Sequence, residues 1–489
     1  MSQKLKVAYV STEAFPFAKS GELADVASSL PKYLSSLGAE VSLFLPKYRR
    51  PQIDSAPKEK VFSDLKVPLG EKRVKARVYR SEQGKYDIYF IDSPKYFWRD
   101  HIYGTGKGEY LDNDERFIFY NRAVLEYLLQ SGIDVDVLHC NSWPTAMIPV
   151  FLKSHYAKKK KFKKVATVFT LHNVTYQGKF PPESLRLAQL NWNYFSSAEL
   201  ALNGKFNFLK AGIEYADMLN TVSSSYRKEI LTKKHGFNLE KILQKRKNRL
   251  VSIRNGIDYE VWDPQTDPYI AANYSASDLR PKKKCKRDLL EEFGLSLSDK
   301  TPVVGLVSYL APHKGIDILV EAVDDLMKMK VKLVVLGKGD EKYEDSLSQL
   351  QKKYPQKMAF KRELNPALAH KVAAGADIFL IPSLYEPCGL NQLYSFRYGT
   401  VPVVRSTGGL RETVKPFDRR SRKGNGFLFK EYSSEALVDA VKRAVDCYRK
   451  SSLWKKIVET GLQENFSWEN SARKYLNLYQ KALQIKRGG

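Results

Sequence analysis

The chain has 489 residues, of which 43% are hydrophobic and 12% aromatic; that is long enough for two or three cored domains and excludes a disordered or low-complexity polymer. No apolar run approaches the ~20 residues of a membrane span, and the opening MSQKLKVAYVS enters a strand with no secretory segment. The net charge of +27 attracts anions, but the basic runs Lys158–Lys164, Lys245–Arg249, Lys282–Arg287 and Arg419–Lys423 are dispersed and accompany no nucleic-acid module, so they read as solvated surface with no specific nucleic-acid partner.

Lys4 to Ser11 reads as a strand, Leu23 to Leu37 as a helix and Val41 to Leu45 as the next strand. This βαβ opening predicts a parallel, doubly wound sheet. Its strand-to-helix loop carries Lys19 and Gly21. Tyr86 to Asp92 is a further strand. In the helix after it, Asp114 is the expected cap, Phe117, Val124, Leu125 and Leu128 face the core, and Arg116 is structural. The strand Val135 to Cys140 runs into Asn141, Ser142 and Trp143. The strand Val165 to Leu171 ends at His172, at a strand C-terminus, where open α/β sheets bind ligands. Asn255-Gly256 is a turn signal, and the loop-like stretch Asp263 to Pro281 is the expected hinge. Pro302 to Tyr309 begins a second βαβ series. Two such series joined by a hinge predict two Rossmann-like domains facing a cleft. The four cysteines, Cys140, Cys285, Cys388 and Cys447, form no metal pair and read as reduced thiols of a cytoplasmic protein.

The most informative stretch is Ser383 to Val414. The β-branched run Ile378 to Ile381 fits a buried parallel strand. Glu386 follows at the turn, and Pro387 suits the first turn of a helix. Gly389 lets a ligand approach, and the helix N-terminus at Gly389–Leu390 offers N–H groups to a phosphate. An ordinary strand–turn–helix with a solvated Glu386 is the blander reading. The pair Gly408–Gly409 repeats the theme and favours a site.

The run EPCGLNQLYSFRYGTVPVVRSTGGLRETV resembles the donor-site motif of bacterial glycogen synthases and plant starch synthases, and matching stretches, among them TLHNVTYQGKF, cover nearly the whole chain. The resemblance implies an α/β chain of the GT-B fold: an N-terminal domain over 1–265, a nucleotide-sugar domain over 266–470 and a C-terminal helix, 471–489, crossing back to the first. It implies a retaining glucosyltransferase that moves glucose from ADP-glucose, with UDP-glucose as the second donor, to the non-reducing end of an α-1,4-glucan, without cofactor or metal. Glu386 and His172 would hold the glucose. Lys19, Gly21, Lys314, Gly389 and Leu390 would contact the donor phosphates. Trp143, Asn255, Gly408 and Gly409 are further candidates, with Trp143 and the Tyr176-Gln177-Gly178 turn facing the glucan.

The chain departs from the family at four places. Glu22 replaces the second Gly of Lys-x-Gly-Gly-Leu. Asn141-Ser142-Trp143-Pro144 stands where His-Asp-Trp-His is usual. Tyr309 replaces an Arg, and Leu364 an aromatic. All four lie on the donor side, which keeps open a second reading: a catalytically impaired α-glucan-binding protein.

Overall fold

The computed structural model describes residues 4–105 and 108–488. The chain forms two compact units, one running to Asn255 and including Trp468 onward, the other Gly256–Ser467.

The first unit is built on nine strands in the order Leu250–Ser252, Met218–Thr221, Ala166–Leu171, Val137–Asn141, Lys6–Val10, Glu40–Pro46, Asp87–Asp92, Lys72–Glu82 and Glu59–Leu69. The first seven are parallel; the last two form an antiparallel hairpin on the edge. The apolar central strands Val137–Asn141 and Ala166–Leu171 are buried throughout, as a sheet covered on both faces requires. The hairpin is half exposed and rich in lysine, which blunts an edge; no sequence signal singled it out.

Asp112, not Asp114, holds the N-cap position of helix Asn113–Gln130, and its carboxylate accepts from Arg99 rather than from the helix N–H groups. Asp114 sits in the first turn, where its carboxylate accepts from the Ser184 hydroxyl. Arg116 is fully buried and donates to the carbonyls of Tyr96 (2.8 Å) and Ile102 (2.9 Å). The last helix, Trp468–Gly488, packs on this unit. It buries Tyr475 and Tyr479, whose hydroxyls meet Asn220 Nδ2 (2.9 Å) and His139 Nδ1 (2.8 Å).

The second unit is a six-stranded parallel sheet in the order Met358–Lys361, Lys332–Gly339, Val303–Leu310, Ile378–Ile381, Val401–Arg405 and Phe427–Phe429. The chain divides at Asn255–Gly256, upstream of the stretch expected as the hinge. The stretch 263–281 is held inside the second unit. Asp267 bonds His370 Nδ1 (2.7 Å) and the Tyr398 hydroxyl (2.5 Å), beside a Trp262 ring stacked between His370 and Tyr394. The basic run that follows is not all solvated either. Lys282 Nζ donates to Ala374 O (2.6 Å), and Lys286 is buried against Asp377 at 2.7 Å. Among the described residues no helix is long and apolar enough to cross a membrane.

Candidate functional site

In both units the candidate residues gather at the C-terminal ends of parallel strands, the end at which such sheets present loops to ligands. In the second unit the centre is Glu386, on the irregular turn between strand Ile378–Ile381 and helix Asn391–Arg397. Pro387 is therefore not in the helix's first turn. Gly389, at φ +72°, breaks the path, and the helix begins only at Asn391. That left-handed φ is what favours glycine there; a Cβ would also meet Gln392 Oε1 at 2.5 Å, but that is the end of a side chain that can turn aside. Leu390 buries its side chain in the unit's core and has only backbone to offer a ligand.

Glu386 is 4% exposed. Its Oε2 accepts from Lys314 Nζ (2.7 Å) and from the Ser383 hydroxyl (3.0 Å). Lys314 arrives on the short helix Pro312–Lys314 after strand Val303–Leu310. That loop is seated on the Glu386 turn: Leu384 N–H donates to His313 O (2.9 Å), the His313 ring stacks on Tyr385, and a Cβ on Gly315 would fall 2.1 Å from Pro382 O. Burial pushes the His313 imidazole down to about 4. From the other side comes the glycine pair. Gly409 N–H donates to Glu386 O (3.0 Å), and a Cβ on Gly408 or Gly409 would lie 2.0 Å from the carbonyl oxygen of Glu386 or Cys388. These glycines are the seat of the turn. The structure thus brings Glu386, Lys314, Gly389, Gly408 and Gly409 together.

In the first unit the Lys19 loop is organised by a residue the sequence reading missed. Glu13, 3% exposed, accepts from Ser20 N–H (2.5 Å), the Ser20 hydroxyl (2.8 Å), Gly21 N–H (3.1 Å) and the Tyr103 hydroxyl (2.8 Å). Burial pushes its carboxyl up while these donors pull it down. The Gly21 amide expected to face a phosphate is therefore already bonded to a carboxylate. Lys19 pairs with Asp25 (2.7 Å) on the exposed side. Glu22 is the first residue of helix Glu22–Ser36, where its charge suits the dipole and opposes an incoming anion.

Ser142, at the place of the family's aspartate, has φ 59° and ψ 176°, a conformation nearly reserved for glycine. Beside it, His172 Nε2 meets Asn141 Oδ1 at 3.0 Å, and burial pushes the imidazole down to about 3. Trp143 is not an open platform. It is 6% exposed, packed on Phe117, Phe180, Phe208 and Tyr103, and Gly178 is pressed against its ring. Gln177 is buried as well, leaving Tyr176, 52% exposed, as the open ring of that turn. Asn255 is buried, its Oδ1 without a hydrogen-bond partner among the described residues. Tyr309 and Leu364 lie exposed at the C-terminal end of the second sheet.

Residues 6–245 match the family model for the starch synthase catalytic domain, and residues 290–460 that for glycosyl transferases group 1. The chain is 44% identical to a glycogen synthase of Koribacter versatilis, over 99% of each chain. It is 43% identical to one of Thermotoga petrophila, over 98% of this chain and 99% of that one. Its structure superposes on the catalytic domain of starch synthase IV from Arabidopsis thaliana, bound to ADP and acarbose, with a TM-score of 0.93 at 30% identity, covering 99% and 100% of the two chains. Sucrose-phosphate synthase of Thermosynechococcus elongatus shares the fold at a TM-score of 0.63 and 16% identity.

Proposed function

This chain belongs to the glycogen and starch synthase family of GT-B glycosyltransferases and is a glucosyltransferase; on that premise we propose that it transfers glucose from ADP-glucose to the non-reducing end of an α-1,4-glucan, with retention at the anomeric carbon. The observation that carries the proposal is the buried Glu386 carboxylate held by Lys314 at the end of a parallel strand. When the donor bond breaks, positive charge grows on the anomeric carbon and negative charge on the departing diphosphate. A buried carboxylate and a partly buried ammonium fixed side by side oppose these two charges without first having to reorganise. In this scheme Glu386 faces the sugar and Lys314 the diphosphate. Lys19 adds a second cation for the phosphates, and His172 takes a glucose hydroxyl. A diphosphate oxygen accepts the proton of the attacking glucan hydroxyl on the same face, so configuration is retained without a protein base.

Full-length identity with glycogen synthases does not favour the reading as a non-catalytic glucan-binding protein, and Lys19, His172, Lys314 and Glu386 are all present. The division into an acceptor-side domain, a donor domain and a returning helix belongs to the same proposal, as does a cytoplasmic location, in keeping with four buried free cysteines. The test is transfer of radiolabelled glucose to glycogen from ADP-glucose and, in parallel, from UDP-glucose. Transfer above a Glu386→Ala control, greater from ADP-glucose, is expected. Transfer at the level of that control from both donors would overturn the proposal.

A further inference from the structure

Among the described residues His172 has one hydrogen-bond partner, Asn141, with Nε2 3.0 Å from Oδ1. The buried amide decides which atom carries the proton. Asn141 Nδ2 donates to the carbonyls of Val10 (3.0 Å) and His139 (3.4 Å), and Oδ1 accepts from the Tyr9 hydroxyl (3.1 Å). Turning the amide over would set its oxygen against two carbonyl oxygens at a fully buried side chain. The oxygen therefore faces the imidazole, and since it can only accept, Nε2 must carry hydrogen. Burial holds the ring's titration near about 3, so at neutral pH this is its single proton. Nδ1 keeps a lone pair and has no partner among the described residues.

The surroundings protect that state. Of the titratable side chains in contact with this pair, His139 on the same strand is held neutral by burial, and Tyr9 on the adjacent strand is held un-ionised by burial. The neighbouring position is Ser142, so the carboxylate usual there, which would favour the imidazolium, is missing. Thr145 Oγ1 donates to Asn141 O (2.9 Å) and Ser142 O (3.2 Å), closing the turn that aims the amide inward.

We propose that Asn141 is a positioning residue that fixes His172 as the Nε2–H tautomer, so that Nδ1 accepts a hydrogen bond from a hydroxyl of the glucose being transferred. The tautomer follows from the geometry alone, whereas its use on glucose rests on the function proposed above. An imidazolium or the opposite tautomer would present N–H at that place and could not accept.

The test is nitrogen NMR of the full chain labelled at histidine, with the His172 signals identified through His172→Gln. Protonated Nε2 and unprotonated Nδ1 are expected from about pH 8 to about pH 5. In Asn141→Leu the ring should shift toward the Nδ1–H form, and kcat/KM for ADP-glucose should fall at least about tenfold, the size of one lost hydrogen bond in the transition state. The KM for glycogen should stay within about twofold. Tyr9→Phe removes only the other donor to Oδ1 and should keep both the tautomer and transfer within about threefold of the original. Nδ1–H in the unaltered protein overturns the assignment. An unchanged tautomer in Asn141→Leu, or a changed one with unchanged kcat/KM, overturns the positioning role. Nε2–H in a protein that transfers no glucose refutes the glucosyl reading and leaves the tautomer standing.

Discussion

Glu386 is 4% exposed and Lys314 is its nearest cation, so each depends on the other. Glu386→Gln should lower glucosyl transfer at least about a hundredfold with the fold intact, because it removes charge where electrostatic terms are largest; near-normal turnover in the purified variant would take Glu386 out of the reaction. Lys314→Met leaves the buried carboxylate to Ser383 and should cost about 2–3 kcal/mol in urea unfolding, somewhat below the usual penalty for a broken buried pair because Lys314 is partly exposed. His172 is one of the histidines that contribute to the pH dependence of stability. Its folded pKa, about 3, lies below the unfolded value of ~6.5, so on acidification the unfolded chain takes up a proton that the folded one refuses, and stability falls as pH drops through that window. Between pH ~6.5 and ~5 the unaltered protein should lose about 1.6 kcal/mol more than His172→Gln; equal losses would show the imidazole to be accessible. At this scale the sequence was legible where a motif places a residue at a strand end, as with Glu386, Lys314 and His172. Glu13 was not, because its partners Ser20, Gly21 and Tyr103 meet only in the folded loop.

The elements around these residues are fitted by glycines that admit no side chain. Gly409→Ala would set a methyl group 2.0 Å from Cys388 O, against backbone that cannot swing aside. It should cost at least about 2 kcal/mol and depress transfer with it, since the same backbone carries Glu386; unchanged thermal unfolding and turnover would mean that the turn is free to move. Gly178 has the same relation to Trp143, with φ +60° and a 2.4 Å approach to the ring. The strand–turn–helix order at 378–397 was readable from apolar runs and glycines. The start of the helix was misread because Pro387 is compatible with a first turn but does not impose one, and Gly389 in the left-handed region sets the boundary.

For the molecule as a whole the final helix matters most, because it belongs to the first unit although the second unit precedes it in the chain. Its Tyr479 hydroxyl is the partner of His139 Nδ1 in a site without exposure. Tyr479→Phe leaves that nitrogen unpaired and should cost about 1–3 kcal/mol. Removing Trp468 onward uncovers Trp468, Tyr475 and Tyr479 contacts together and should leave the first unit aggregating on expression; a soluble truncated chain with an unchanged thermal transition would show that the helix is dispensable.

The sequence by itself determined the class of each half. Buried parallel strands announce themselves as short apolar runs, and the loops after them carry the residues that resemble the glycogen and starch synthases; both are local features that survive without a partner. What only the tertiary structure decided concerns groups whose state depends on distant neighbours. An aromatic side chain buries its area equally well in a core or under a sugar, and Phe117, Phe180 and Phe208 put Trp143 in the core. A basic run reads as surface until Asp377 draws Lys286 inward. A loop amide reads as free until a carboxylate reaches it, as Glu13 reaches Gly21. In each case the energy is that of burying or pairing a group, and burial is a property of the assembled fold rather than of the residue.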